Sequence, residues 1–378
     1  MRSGDRTPDD PWHFPRPELA DAYLQAFELK LSAARGLFAR RRMGKTEFLR
    51  QDLIPAALDR GYLTAYTNLW DRRTSPEIAL VSALNEALEP KGAAAVLSRL
   101  RAPVKKLKAG AKLPGGIEGT LEAELGKAGA DRTSALHEVL KQLDGAKKTL
   151  LLVIDEAQVL ARADHGDFAH ALRAALDIRK DRIKVIFAGS SETTLRAMFA
   201  RASEPFYNWA PLEPFPLLGD EFVAYSIRLL NSMARNKLTL EQGLRAFEAL
   251  HRTPEFFKRF IERYMLYQTQ GDTAALVHTK ASVFSDEHSL QQWQEIKASD
   301  RAILYLIARG EPDLHAAATL EKLGAMLGKP ATRNTAAHAL RRLMADNVVT
   351  RLSMGDYRIE DEAFAEWIRR RPAPSVSD

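Results

Sequence analysis

Residues 39–46 read Ala-Arg-Arg-Arg-Met-Gly-Lys-Thr and stand between two segments of different character. Residues 33–39 form a short apolar run that predicts a buried strand, and residues 46–59 have helical periodicity. Amides at a helix N-terminus bind anionic phosphates, while a following lysine and hydroxyl reach the terminal phosphates and Mg²⁺. The pattern GxxxxGK[ST] is complete here except for Ala39 in place of its first glycine. We predict a nucleotide phosphate-binding loop; the alternative is a solvated basic loop.

The second motif is acidic and follows a continuous apolar run. Residues 148–155 end in Leu-Leu-Leu-Val-Ile-Asp, which is typical of a central parallel strand covered on both faces. Asp155 would hold Mg²⁺ through water, and Glu156 would polarise an attacking water, which requires a carboxylate within hydrogen-bond reach. The alternative is an Asp-Glu pair that only caps the next helix.

A third polar motif, Gly189-Ser190-Ser191, follows the predicted strand at residues 183–188. ATPases of this architecture place a polar side chain there, close to the terminal phosphate. Ser190 is our candidate for this role, although Ser-Ser-Glu-Thr is also good helix-capping chemistry. Both roles are compatible.

The order of these elements predicts the fold class and the domain organisation. Strands and helices alternate up to about residue 216, which indicates an α/β fold with a parallel sheet flanked by helices. Only helical patterns follow, up to about residue 298. The predicted units are a flexible tail (1–16), an ATPase core (17–216), a helical lid (217–298), a C-terminal unit (299–371) and a second tail (372–378).

The C-terminal unit reads as three helices, a two-stranded hairpin turning at Met354-Gly355, and a final helix. This pattern is typical of a winged helix. Residues 322–345 contain no acidic side chain, so a recognition helix at 332–346 could contact duplex DNA. The alternative is a protein-docking module. The candidate DNA contacts are Arg333, His338, Arg341, Arg342 and Arg351.

A basic stretch at residues 91–117 contains seven lysines and arginines and no acidic residue. It lies within a predicted hairpin insertion at about 91–125. It is a second candidate for a polyanion contact. The alternative is a solvated hairpin whose lysines protect a sheet edge.

Composition excludes several classes of site. The 378 residues include no cysteine, so disulfides, thiolate metal sites and cysteine nucleophiles are excluded. The net charge of +6 is compatible with a polyanionic partner. No apolar stretch approaches the roughly 20 residues of a membrane span, and the polar, proline-rich start does not resemble a secretory signal. We therefore expect a cytoplasmic protein without a membrane partner.

Together, Arg40-Arg41-Arg42-Met43-Gly44-Lys45-Thr46, Ile154-Asp155-Glu156-Ala157-Gln158 and Phe187-Ala188-Gly189-Ser190-Ser191 resemble the archaeal-type ATPase family. This family is related to the origin-recognition ATPases and to the STAND branch of the AAA+ superfamily. The resemblance covers about residues 14–290. It implies a sheet in which one strand separates the phosphate-loop strand from the acidic strand, and a hairpin insertion before the latter.

The resemblance also implies functional residues. ATP and Mg²⁺ are the implied cofactors, and Phe14 and Arg16 would lie near the adenine. An arginine acting in trans within a homo-oligomer would be Arg196 or Arg201. The arginine that relatives place at a lid helix is missing from Arg252-Thr253-Pro254-Glu255, and Lys258 or Arg259 would substitute. The implied nucleotide-binding residues are Ala39, Arg40, Arg41, Arg42, Met43, Gly44, Lys45, Thr46 and Glu47, together with Phe14 and Arg16.

Two functions from different classes fit these motifs. The first is a DNA-associated ATPase in which the nucleotide sets the arrangement of lid and winged helix. The second is a STAND-like signalling or defence switch in which the winged helix contacts a protein effector. A small-molecule kinase fits less well, because the predicted units include no acceptor-binding domain.

Overall fold

The structure, a computed structural model, describes residues 10–89, 132–284, 286–346, 348–353 and 355–374. Its centre is a five-stranded parallel sheet with the strand order β2-β3-β4-β1-β5. The phosphate-loop strand β1 and the acidic strand β3 are separated by β4, as predicted. The strands are β1 (Ala34–Phe38), β2 (Leu63–Asn68), β3 (Leu150–Asp155), β4 (Ile183–Gly189) and β5 (Leu212–Pro214).

Helices cover both faces of this sheet and explain its continuous apolar runs. All residues of β3 and β4 are buried, and they contribute to two separate hydrophobic clusters, one on each face. Parallel strands covered on both faces require such uninterrupted apolar sequence. The helices of this part are α1 (Pro17–Glu28), α2 (Lys45–Phe48), α3 (Ile54–Asp59), α4 (Pro76–Leu88), α5 (Arg132–Gly145), α6 (Gly166–Ile178) and α7 (Glu192–Ala200).

The helix that follows the phosphate loop contains one π-helical turn. The sequence predicts an uninterrupted helix over residues 46–59, but Leu49–Leu53 forms a π turn between α2 and α3. Pro55 in the first turn of α3 has no amide hydrogen to donate to the carbonyl of residue 51. A wider turn before the proline accommodates this missing bond.

The lid consists of helices packed around a cluster of phenylalanines. Phe222, Phe247 and Phe257 contact one another edge-to-face or in tilted pairs, with ring centroids 5.4–5.8 Å apart. The structure adds a helix after residue 285 that the periodicity did not predict. The lid helices are α8 (Asp220–Met233), α9 (Leu240–Ala249), α10 (Pro254–Leu266), α11 (Gly271–Val283) and α12 (Asp286–Glu295).

The C-terminal unit has its own hydrophobic core, which includes Trp293, Phe364 and Trp367. Three helices precede an antiparallel hairpin, and a last helix packs against both. These elements are α13 (Ala298–Ala308), α14 (Ala317–Leu327), α15 (Arg333–Ala345), β6 (Val349–Ser353), β7 (Asp356–Ile359) and α16 (Glu362–Arg369).

Two predictions from the sequence were wrong. A third concerns residues that the structure does not describe. Residues 10–16 are not a loose tail: His13 is buried and bonded to Asp52 of the core. Strand β5 was missed, because a three-residue strand that follows one proline and ends in another gives no periodicity. The basic insertion at 91–125 lies outside the described residues. Within the described ranges, no helix has the length and apolar character needed to cross a bilayer.

Candidate nucleotide-binding site

A cavity of about 500 Å³ lies between the sheet, the lid and the N-terminal segment. This volume is in the usual range for small-molecule sites. The cavity is found where β1 and β3 end, which is where ligands bind in open parallel sheets. Residues 40–46 of the phosphate loop line it, together with Glu156, whereas Ala39, the first residue of the predicted loop, does not. The lining residues are Trp12, His13, Phe14, Arg16, Arg40–Glu47, Asn68, Trp70, Glu156, Leu218, Phe222, Pro254, Glu255 and Lys258.

The backbone of the loop has the conformation that an anion cradle requires. Gly44 has φ = 80°, in the left-handed region that glycine enters without steric cost, and α2 starts directly after it. Ala39 is not among the residues with positive φ, which explains why alanine can replace the usual glycine there. Lys45 is 6% exposed and lines the cavity. The loop therefore places Lys45 and the N-terminus of α2 at the same cavity.

Asp155 is fully buried beneath the loop and is held by three donors. Its Oδ2 accepts hydrogen bonds from the Thr46 hydroxyl at 2.7 Å and the Tyr66 hydroxyl at 3.2 Å. Its Oδ1 accepts one from the amide of Glu156 at 3.0 Å. Burial, with the neighbouring charge of Asp155, raises the pKa of Tyr66, so the phenol stays a donor. The predicted metal-side pair, Thr46 and Asp155, is thus in direct contact.

The donor chemistry of this pair fits Mg²⁺. Hydroxyl and carboxylate oxygens are hard ligands, and Mg²⁺ is usually bound by one or two protein oxygens plus substrate phosphates and waters. Within the described ranges, no group of three or more His, Asp or Glu side chains could hold a metal ion by itself. Because Mg²⁺ is bound largely through substrate phosphates and waters, Thr46 and Asp155 would hold it together with a bound nucleotide.

Glu156 follows β3 in a left-handed backbone conformation, with φ = 54° and ψ = 40°. Its Oε2 accepts a 2.7 Å hydrogen bond from the Ser190 hydroxyl and a 2.5 Å bond from the Gln158 amide. Ser190 therefore meets Glu156 across the strand ends but does not itself line the cavity, and its place near the terminal phosphate stays a prediction. The helix cap of α7 belongs instead to Ser191, whose hydroxyl accepts from the amide of Thr194.

The N-terminal segment forms one wall of the cavity. Phe14 lines it and contacts the rings of Phe222 and Tyr225 edge-on in the lid. Trp12 and His13 also line it, and both were missed by the sequence analysis. Two aromatic residues in a polar, proline-rich stretch are the signal that could have identified this wall.

Arg16 also lines the cavity, but its guanidinium is bound by other groups of the protein. It lies over the rings of Phe48 and Phe215, at 4.9 and 4.4 Å from their centroids. It donates to the carbonyls of Gly44, at 3.2 Å, and Pro216, at 3.0 Å. Burial lowers the pKa of Arg16 to about 10. Arg16 thus bonds to the backbone of the phosphate loop, and its place near the adenine stays a prediction.

Arg42 connects the phosphate loop to both other parts of the protein. Its guanidinium lies 3.5 Å from Glu255 of the lid and 3.2 Å from Asp361 of the C-terminal unit. It also lies over the ring of Phe256, 5.2 Å from the centroid. Arg42 has φ = 66°, a conformation that non-glycine residues adopt rarely. This contact was not predictable, because its partners are more than 200 residues away in sequence.

The neighbour of Asp361, Glu360, is a buried acid beside the same loop. It is 6% exposed, and within the described chain its Oε1 has no hydrogen-bond partner. Burial raises the pKa of Glu360 to about 7, against the effects of a Thr350 hydrogen bond and the charge of Arg41. The C-terminal unit therefore presents two carboxyl groups to the arginines of the phosphate loop.

The remaining predicted residues lie outside the cavity or on its lid side. Lys258 lines the cavity and pairs with Asp10 at 3.2 Å, whereas Arg259 pairs with Glu255. Arg196 pairs with Glu192 on its own helix. Arg201 is exposed at the end of α7 and does not line the cavity.

The candidate DNA contacts lie on the C-terminal unit. Arg333, His338 and Arg341 are exposed on α15, and Arg351 is exposed on β6. Arg342 is different, because its guanidinium is held by Asp300 and by the Ser299 hydroxyl at 3.0 Å. The first four side chains thus lie at the surface, and Arg342 links α15 to α13.

Comparison with known proteins agrees with this architecture. No known family model matches the sequence, and no curated protein matches it. Among solved structures, the Walker-type ATPase PABY2304 of Pyrococcus abyssi is similar, with a TM-score of 0.65 at 17% identity, covering 95% of this chain and 100% of that one. The ORC2 protein of Aeropyrum pernix, in its ADP form, gives a TM-score of 0.52 at 14% identity, covering 93% and 91% of the two chains. The chain has the P-loop NTPase fold; the predicted resemblance to origin-recognition ATPases is confirmed at the level of the fold.

Proposed function

We propose that this protein is an ATP-binding and ATP-hydrolysing switch of the AAA+ type, whose nucleotide state controls how its C-terminal winged helix engages duplex DNA. The observation that carries this proposal is the contact of Arg42 with both Glu255 and Asp361. A bound nucleotide brings negative phosphates to the loop that contains Arg42. These phosphates compete with Asp361 for the same guanidinium, so binding alters the contact with the C-terminal unit.

The residues of the cavity supply the parts that hydrolysis requires. Lys45 and the amides at the start of α2 would bind the phosphates. Thr46 and Asp155 would hold Mg²⁺, which offsets phosphate charge when bound. Glu156 would orient a water molecule and accept its proton, with Ser190 close to the terminal phosphate. In an oligomer, Arg201 of one copy would reach the site of the next.

The surface of the C-terminal unit supports DNA as the partner. A groove of about 560 Å³ runs between α13 and α15, and none of its described lining residues is Asp or Glu. Together with the exposed arginines of α15 and β6, it forms a surface suited to a phosphate backbone. The basic residues of the groove are Lys297, Arg301, Lys329, His338 and Arg342.

The alternative proposal keeps the same switch and replaces DNA with a protein effector. The contact of Asp361 with the phosphate loop is equally suited to a C-terminal unit that holds the ATPase closed until a partner binds. The two proposals differ in the ligand of the C-terminal surface, so a binding experiment with DNA separates them.

Two variants test the proposal in one experiment. Lys45→Ala should lose ATP binding, whereas Glu156→Gln should bind ATP and not hydrolyse it. We expect Glu156→Gln with ATP and Mg²⁺ to bind a fluorescent duplex differently from Lys45→Ala under the same conditions, measured by anisotropy at several salt concentrations. Normal hydrolysis by Glu156→Gln would refute the assignment of the base. No duplex binding by any variant at moderate salt would refute the DNA proposal and favour the protein effector.

A further inference from the structure

The carboxylate of Glu156 is held by two donors that themselves interact. Ser190 and Gln158 both donate to Oε2, and the Gln158 amide also lies 3.2 Å from the Ser190 hydroxyl. The three side chains form a closed triangle at the ends of β3 and β4. Both donors use the same oxygen of Glu156, so Oε1 is left to accept a proton from water.

Gln158 is buried at a cost that packing alone does not explain. It is 2% exposed, and within the described chain its Oε1 has no hydrogen-bond partner. Leaving such an oxygen unsatisfied costs free energy that an apolar side chain of similar length would avoid. The benefit that offsets this cost must come from the amide nitrogen.

The orientation of the amide is determined by its neighbours. A flipped amide would place Oε1 against the Glu156 carboxylate, where two acceptors repel each other. In the observed orientation Oε1 faces Gly189, and a Cβ atom added to that glycine would lie 2.5 Å from it. The absence of a side chain at residue 189 therefore makes room for Gln158.

We propose that Gln158 is a positioning residue for hydrolysis, which keeps the Glu156 carboxylate turned toward the terminal phosphate of the nucleotide. This inference rests on the proposed function, because it assigns Glu156 the role of base. A glutamate has three rotatable bonds, and the Ser190 hydroxyl alone leaves the carboxylate free to pivot about one hydrogen bond. The second donor removes this freedom before the nucleotide arrives.

Gln158→Met tests the proposal, because methionine has a similar length and no donor. We expect kcat to fall by on the order of 10- to 100-fold, while KM and the Kd for ATP stay within about twofold. Folding should be retained, with an unchanged or higher Tm, since the unsatisfied oxygen is removed. A wild-type kcat, or a parallel loss of ATP affinity and Tm, would overturn the proposal.

Gly189→Ala provides a second variant that changes neither donor. Its Cβ should displace the Gln158 amide and lower kcat in the same way. In the Gln158→Met background the alanine should have little further effect, because the amide it displaces is already gone. Fully additive losses would show that the two residues act independently and would overturn the proposal.

Glu156→Gln, measured in parallel, distinguishes a failure of the proposed function from a failure of the role of Gln158. Wild-type activity in this variant, or no hydrolysis by the natural protein, would overturn the proposed function and this inference with it. An inactive Glu156→Gln beside a fully active Gln158→Met would overturn only the role of Gln158.

Discussion

Replacing Glu360 with glutamine should stabilise the protein in a way that depends on pH. Burial favours the protonated form of this carboxyl and raises its pKa to about 7, from an ordinary value of 4.5. Below the ordinary pKa the group is protonated in both the folded and the unfolded chain, and its favourable contribution is fully present. As the pH rises through the folded-state pKa, that contribution is lost, because the unfolded chain ionises more easily.

The magnitude follows from the two pKa values. The difference corresponds to about 3 kcal/mol of unfolding free energy, which is lost as the pH rises from about 4.5 to about 7. Glutamine keeps an oxygen for the Thr350 hydroxyl and cannot ionise, so Glu360→Gln avoids the loss. For a chain of this size, 3 kcal/mol corresponds to roughly 4 °C in Tm.

The assay is thermal unfolding of both proteins at pH 5, 6, 7 and 8. We expect Glu360→Gln and the natural protein to unfold within about 1 °C of each other at pH 5 and to differ by about 4 °C at pH 8, with the variant more stable. Glu366→Gln is the matched control in the same unit. Burial opposes ionisation of Glu366, but hydrogen bonds from Arg369 and Arg370 lower its pKa. Replacing Glu366 should therefore be destabilising, and to the same extent at every pH from 5 to 8. A pH-independent difference for Glu360→Gln, or destabilisation at pH 8, would refute the reasoning.

Three further predictions concern the loop and the C-terminal unit. Lys45→Ala should weaken ATP binding at least about 100-fold in a fluorescence titration without lowering Tm; a loss below tenfold would contradict its role at the phosphates. Asp361→Asn keeps a capping oxygen for α16 and removes the charge that competes for Arg42, so a fluorescent ADP analogue should dissociate two- to fivefold more slowly, as expected for an ion pair of about 0.5–1 kcal/mol; an unchanged or faster rate would argue against the switch. Arg341→Ala should remove about one phosphate contact and so make the slope of log K for duplex binding against log salt concentration shallower by about one. Arg235→Ala, on the exposed lid surface, should leave this slope unchanged. Equal slopes for the two variants would exclude α15 as the DNA surface.

The core of the site was predictable because its signals are local. Residues 39–46 and 150–156 combine a buried strand with the polar residues that follow it, and parallel strands bring such ends to one edge of the sheet. Ser190 was predictable for the same reason. The strand order agrees with that implied by the family resemblance.

The other features of the site depend on contacts that form only in the folded chain. Arg42 meets Glu255 and Asp361 across more than 200 residues, and nothing near residue 42 indicates these partners. Gln158 looks like any polar residue after a strand; its significance appears only from its burial and its unsatisfied oxygen. The lid arginine expected from relatives is absent, and Lys258 at the cavity was only one of two candidates.

The N-terminal segment has a mechanical consequence for the lid. His13 fixes this segment to Asp52 of the core, while Phe14 packs on the lid and Tyr225 of the lid donates to the carbonyl of Pro11 at 2.9 Å. The lid is therefore attached to the core both by the chain after residue 216 and by this second connection. A body attached at two points turns most easily about the line that joins them. Opening for nucleotide exchange should thus be a swing about one axis, and removing residues 1–16 should convert it into a looser motion.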